Sequence, residues 1–150
     1  MIKIVLTAAG RGTRLLPFTK EMPKEMMPIF TKIHGNHRSV IPLLQYIFEQ
    51  SYSIKIRDYC FVVGRDKRSI KDHFALQQSH LNELSADRKK TMSDFYKKLK
   101  NCHLTWINQN KPLGFGDAVK RVVKFVGKQD FILHAGDISV VSRFKHPILR

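Results

Sequence analysis

Apolar positions along the chain follow two alternating rhythms. Residues 2–7 (IKIVLT), 58–63 (DYCFVV), 103–108 (HLTWIN) and 130–135 (DFILHA) are short apolar or alternating runs, rich in β-branched and aromatic side chains. Each is bounded by glycine or polar residues, the signature of a strand. Between them the apolar residues recur at helical spacing. Residues 39–52 place Ile41, Leu44, Ile47 and Phe48 along one helical face, with Ser39 as N-cap and Pro42 in the first turn. A second helix is predicted over 67–78. A polar, solvent-facing helix is expected within 82–101. A third apolar stripe, Ala118, Val119, Val122, Val123 and Val126, predicts a helix over 115–126. Residues 30–39 (FTKIHGNHRS) read as a surface loop.

Strand and helix in regular alternation predict an α/β fold, a Rossmann-like, doubly wound, mostly parallel sheet. Such sheets bind ligands beyond the carboxyl ends of their strands, near a switch in strand order. Three of the four predicted strands end in distinctive loops: AAGRGTR, GRDKR and AGD. The 150 residues suit one domain with its own core.

Charge changes the picture. With 27 Lys and Arg against 12 Asp and Glu, the chain carries +15, which favours anionic ligands of some kind. A nucleic-acid partner is disfavoured, because helix-turn-helix, RNP and zinc-finger patterns are missing. A membrane partner is disfavoured by the lack of a long apolar run. Two cysteines, Cys60 and Cys102, lie far apart without metal-ligand spacing, so a reduced, cytoplasmic protein is expected. The seven histidines show no zinc spacing.

The stretch TAAGRGTRLLPFTKEMPKEMMPI, residues 7–29, carries the candidate chemistry. Ala8, Ala9 and Gly10 are small enough for a ligand to approach the backbone. Gly10 and Gly12 admit positive φ, so successive amide N–H groups converge on an anion. Arg14 offers a planar fork for phosphate oxygens. Pro17, Pro23 and Pro28 stiffen the path that carries Lys20 and Lys24. The pattern is neither the Walker phosphate loop nor the dinucleotide fingerprint. Elsewhere, Lys67 and Arg68 read as a solvated helix start, and His73 and Phe74 as helix-to-sheet packing. Trp106 reads as core, and His134 as a core or cleft residue with one hydrogen bond.

This stretch resembles the signature of the sugar-phosphate nucleotidyltransferases, and within them the bacterial and archaeal UTP–glucose-1-phosphate uridylyltransferases. GRDKRSIKDHF (64–74), NQNKPLGFGDAV (108–119) and FILHAGD (131–137) resemble further blocks of that family, in family order. The resemblance implies a nucleotide-diphospho-sugar transferase type of sheet, incomplete at its C-terminus. Residues 1–150 would then be the N-terminal, nucleotide-binding part of the domain.

The resemblance also implies an activity: uridylyl transfer from UTP to glucose 1-phosphate with Mg2+, giving UDP-glucose and pyrophosphate. Ala8, Ala9, Gly10, Gly12 and Thr13 would lie under the nucleotide, Arg14 would hold its outer phosphates, and Lys24 would neutralise the α-phosphate. Glu25 would line the same pocket, Gln109 would bond the uracil edge and Gly114 would leave room for the base. Asp137 would bind the magnesium. The same chemistry with dTTP and a non-catalytic nucleotide-binding module are the alternatives, and a homo-oligomer is compatible with all of them.

Overall fold

A computed structural model of the chain describes residues 2–34, 37–77 and 81–141. Its elements, in chain order, are β1 (Lys3–Ala8), β2 (Pro28–His34), β3 (His37–Pro42), α1 (Leu43–Ser53), β4 (Asp58–Gly64), α2 (Arg68–His73), α3 (Ala86–Lys100), β5 (His103–Gln109), α4 (Phe115–Arg121), α5 (Val123–Val126) and β6 (Phe131–Ala135). The expected parallel sheet is present, in the order β5-β4-β1-β6, with each neighbouring pair parallel. Leu6 of β1 sits between Phe61 of β4 and His134 of β6.

Helices cover both faces. On one face Ile4, Leu6, Tyr59, Phe61 and Val63 meet Leu44, Ile47 and Phe48 of α1, Ile70 of α2, and Phe95 and Leu99 of α3. Phe48 packs against Tyr59 with ring centroids 4.8 Å apart, and Phe61 stacks on Trp106 at 4.5 Å. On the other face Val5, Cys60 and Val62 meet Ala118, Val122 and Val126. Covered on both sides, β1 and β4 have no polar face to show, which is why their sequences are nearly continuous apolar runs.

The winding creates the crevice. From β1 the chain steps outward through β4 to β5, then crosses to β6 on the opposite flank of β1. Loops leaving β1 and β6 therefore diverge above the sheet, as ligand sites in this architecture require.

Several expectations are corrected. Residues 30–39 do not form a loop. Phe30 and Thr31 pair antiparallel with Val40 and Ser39 in the β2–β3 hairpin, whose residues 35 and 36 lie outside the described residues. The following helix accordingly starts at Leu43, and Ser39 caps nothing. Pro42 is the physical reason: it forces Ile41 into an extended conformation, and the β-branched pair Val40–Ile41 joins a strand instead. The helix predicted to residue 78 ends at His73, and residue 78 itself lies outside the described residues. The predicted solvated helix buries Phe95, Tyr96 and Leu99 among its lysines. The 115–126 stripe is broken at Val122 into α4 and α5, and the break turns Val123 to solvent, 60% exposed.

Candidate functional site

Three loops meet above the carboxyl ends of the strands. Residues 9–27 leave β1, residues 65–67 leave β4, and Gly136 and Asp137 leave β6. Beside them, residues 110–114 connect β5 to α4. Together they enclose a cleft of about 770 Å³ lined by Ala9, Gly10, Arg11, Thr13, Lys24, Glu25, Gln109, Gly114 and Asp137 among others. A shallower extension of about 470 Å³ continues past Gly10 towards Lys20, Arg65 and Lys67.

The β1 loop folds back on itself to bring Lys24 over the sheet. Gly12 adopts φ 67, a left-handed conformation that glycine takes without strain. The Thr19 hydroxyl donates to the Gly12 carbonyl at 2.7 Å and closes the turn. Pro23 then leads into a short 3-10 turn, Lys24–Met26. Lys24 Nζ lies 2.5 Å from Asp137 Oδ2, with both side chains a quarter to a third exposed. A Cβ on Gly10 would lie 3.4 Å from Lys24 Nζ, an ordinary contact.

Glu25, next to Lys24, is fully buried. Lys67 Nζ, from the β4 loop, donates to its Oε2 at 3.0 Å. Burial raises the Glu25 pKa, and the Lys67 ammonium partly pulls it back. Glu25 also abuts the β6 loop. A Cβ on Gly136 would come within 3.3 Å of Glu25 Cγ and 3.0 Å of the Thr7 carbonyl oxygen. The Gly136 N–H donates to that same carbonyl at 2.8 Å. One buried carboxylate therefore ties together the loops that carry Lys24, Lys67 and Asp137.

At the other end of the cleft, Gln109 closes β5 and is buried. Its Nε2 donates to the Gly114 carbonyl at 3.0 Å and to Asp117 Oδ2 at 2.7 Å. Gly114 adopts φ 93, and the space around its α-carbon is open. Arg121 Nε donates to Asp117 Oδ2 at 2.7 Å. The hydrogen bonds from Arg121 and Gln109 lower the Asp117 pKa, so this carboxylate is ionised at neutral pH.

Most of the residues singled out in the sequence come together here. Ala9, Gly10, Thr13, Lys24, Glu25, Gln109, Gly114 and Asp137 line the cleft. Two are placed differently. Ala8 is buried in the core beneath the sheet's end, below the cleft floor. Arg14 lies on the 3-10 turn Thr13–Leu15, and it is Arg11 that lines both the cleft and its extension. Gly12 shapes the turn from outside the lining. Lys67 is not a solvated helix start but an ion-pair partner, 11% exposed. Lys20 stays 77% exposed beside Glu21. Sequence reading passed over Arg11, Lys111 and Asp117. Their signal was only position within the quoted motifs.

The donor set suits one kind of metal. Asp137 offers a hard carboxylate oxygen to the cleft, and among the described residues no cluster of three or more His, Cys, Asp or Glu could hold an ion without help. That rules out a protein-only cage among these residues. It fits magnesium, which takes one or two carboxylates and completes its shell with phosphate oxygens and water.

The model of the nucleotidyl transferase family matches residues 3–148. A UTP–glucose-1-phosphate uridylyltransferase of Bacillus subtilis strain 168 is 37% identical over 149 residues, covering 99% of this chain and 46% of that protein. Among solved structures, a UDP-glucose pyrophosphorylase complexed with UDP-glucose superposes with a TM-score of 0.78 at 29% identity, over 99% of this chain and 50% of that one. A UTP-bound UGPase from Acinetobacter baumannii gives 0.74 at 28% identity, over 95% and 48%. The chain thus spans about half the length of the relatives it matches.

Proposed function

Because this chain belongs to the nucleotidyl transferase family, we propose that its cleft is the nucleotide half of a uridylyltransferase site that joins UTP and glucose 1-phosphate. The observation that carries the reading is the pairing of Lys24 with Asp137 at 2.5 Å in a cleft that Gln109 also lines. The substrates are those for which the relatives are named.

The reaction balances simply. A phosphate oxygen of glucose 1-phosphate forms a bond to the α-phosphorus of UTP, the α–β bridging bond breaks, and pyrophosphate leaves with its electron pair. Such a transfer calls for positioning and charge neutralisation more than for a protein nucleophile. The backbone amides around Gly10 and Gly12 and the Arg11 guanidinium receive the phosphates. Lys24 Nζ swings from Asp137 to the α-phosphate and offsets the charge that builds there. Asp137 would hold Mg2+, which would supply further charge neutralisation when bound. Gln109 reads the base.

Calorimetric titration of the chain with UTP and magnesium at moderate salt, against ATP and a Lys24→Ala variant, tests the reading. Saturable binding that prefers UTP, followed by pyrophosphate release with glucose 1-phosphate, supports it. Equal binding of both triphosphates that vanishes as salt rises would reduce the site to a generic anion binder.

A further inference from the structure

The Gln109 amide is held in one orientation, and Asp117 holds it. Side-chain amides are ambiguous about which end is oxygen until their partners are considered. Here both partners are pure acceptors: the Gly114 carbonyl at 3.0 Å and the Asp117 carboxylate at 2.7 Å. Only an NH2 group satisfies two acceptors, and its two hydrogens are both used. Gln109 Oε1 is left as the uncommitted atom of a buried side chain that lines the cleft.

The Asp117 carboxylate is fixed in its turn. Arg121, one helical turn on in α4, grips it through Nε at 2.7 Å and NH2 at 3.4 Å. The chain of donors runs from Arg121 and Gln109 into one carboxylate. A carboxylate cannot donate, so it cannot accommodate the flipped amide without facing oxygen to oxygen.

We propose that Asp117 is a specificity-determining positioning residue: by holding the Gln109 amide nitrogen, it presents Oε1 to the cleft as an acceptor that selects a pyrimidine with an N3–H donor and rejects one whose N3 is an acceptor. Uracil and thymine carry that donor; cytosine carries a bare nitrogen there. This deepens the proposed nucleotide site and rests on it. Rejection arises because a buried acceptor facing another acceptor remains unsatisfied, which penalises the wrong base more than a lost bond alone.

The test compares UTP and CTP binding by calorimetry in the wild type, Asp117→Asn, Gln109→Ala and the double variant, with thermal melting to confirm folding. Asparagine at 117 keeps the shape but offers an NH2, so the Gln109 amide can turn over. The wild type is expected to prefer UTP to CTP, and Asp117→Asn to cut that preference roughly tenfold, as expected for a lost hydrogen bond plus an opposed acceptor. In the Gln109→Ala background Asp117→Asn should change the ratio no further, because the effect runs through Gln109. An unchanged ratio in Asp117→Asn, or an equal change in both backgrounds, overturns the inference while leaving the UTP site intact. A wild type that prefers UTP to ATP but treats UTP and CTP alike also overturns it alone. A wild type with no preference among all three overturns the site reading as well. Should Asp117→Asn melt early, Asp117→Ala, which removes the acceptor that holds the Gln109 amide, is read by the same ratio and must lower it.

Discussion

Lys24 Nζ and Asp137 Oδ2, 113 residues apart in the chain, meet at 2.5 Å above the ends of two adjacent parallel strands. In this arrangement each charge shields the other. In the proposed reading a triphosphate with its counter-ion would replace both partners at once: phosphate would take the ammonium and the metal the carboxylate. Binding would then exchange one partly exposed ion pair for two stronger charge-assisted contacts.

Truncating Lys24 should consequently affect the chemical step more than binding. Lys24→Ala removes one positive charge from where negative charge builds, which elsewhere costs about a hundredfold or more in turnover. UTP affinity should fall only modestly, because the amides of the glycine turn and Arg11 remain. Single-turnover kinetics with a competent substrate pair would show the split, and near-normal turnover would remove Lys24 from the reaction.

The Glu25–Lys67 pair predicts a stability effect with a definite pH sign. Lys67→Met leaves a fully buried carboxylate without its cation, a change that typically costs about 3 kcal/mol or more. The folded-state pKa of Glu25 is raised, so the folded protein holds the proton more tightly than the unfolded chain. The stability this group contributes is complete below its ordinary value near 4.5 and is lost as pH rises through the folded pKa. Lys67→Met should steepen that loss, and Glu25→Gln should abolish it. Urea unfolding at pH 4.5, 6 and 7.5 measures both slopes.

Gly136 is predicted to tolerate no side chain. A Cβ there would meet the Thr7 carbonyl oxygen at 3.0 Å and Leu44 Cδ1 at 3.1 Å, and the first of these is strand backbone with nowhere to move. Gly136→Ala should lower stability by about 1–3 kcal/mol, the usual range for overpacking. It should also push Asp137 away from Lys24, so loss of metal-dependent UTP binding is expected to accompany a lowered Tm.

The parts of this molecule legible in its sequence are those whose causes are local. The apolar runs of β1 and β4 declare a doubly covered sheet because neither strand has room for polar residues. The glycine turn and Lys24 are readable within 23 consecutive residues, 7–29. What was missed depends on partners far away or on competition between local preferences. Ser39 has the chemistry of a cap, yet Pro42 and the partner strand at Phe30 decide its fate. Arg11 and Arg14 look equivalent in sequence; only the 3-10 turn at Thr13–Leu15 determines which faces the cleft. Lys67 looks like a solvated helix start until Glu25, 42 residues earlier, is seen beneath it.

His73 supplies the last prediction, of opposite sign to Glu25. Its ring packs edge-on to Phe74 and near Phe95, and Nε2 meets the Gln45 Oε1 at 2.9 Å. The amide oxygen accepts, so the imidazole donates from Nε2 and satisfies this contact in its neutral form. Burial lowers its pKa from 6.5 to about 4. Above pH 6.5 folded and unfolded chains both carry a neutral ring, and the group is silent. Below it the unfolded chain takes a proton that the folded chain refuses, so stability falls with pH until about pH 4. Between pH 7.5 and pH 5 the loss amounts to about 2 kcal/mol, from 1.36 kcal/mol for each pH unit below the unfolded value. His73→Gln keeps a donor for Gln45 and does not titrate. Its unfolding free energy should therefore lack this component, and the wild-type and variant curves should converge as pH drops from 7 to 5. Curves that run parallel over that range would mean that the ring is protonated in the folded protein, and that burial does not hold it neutral.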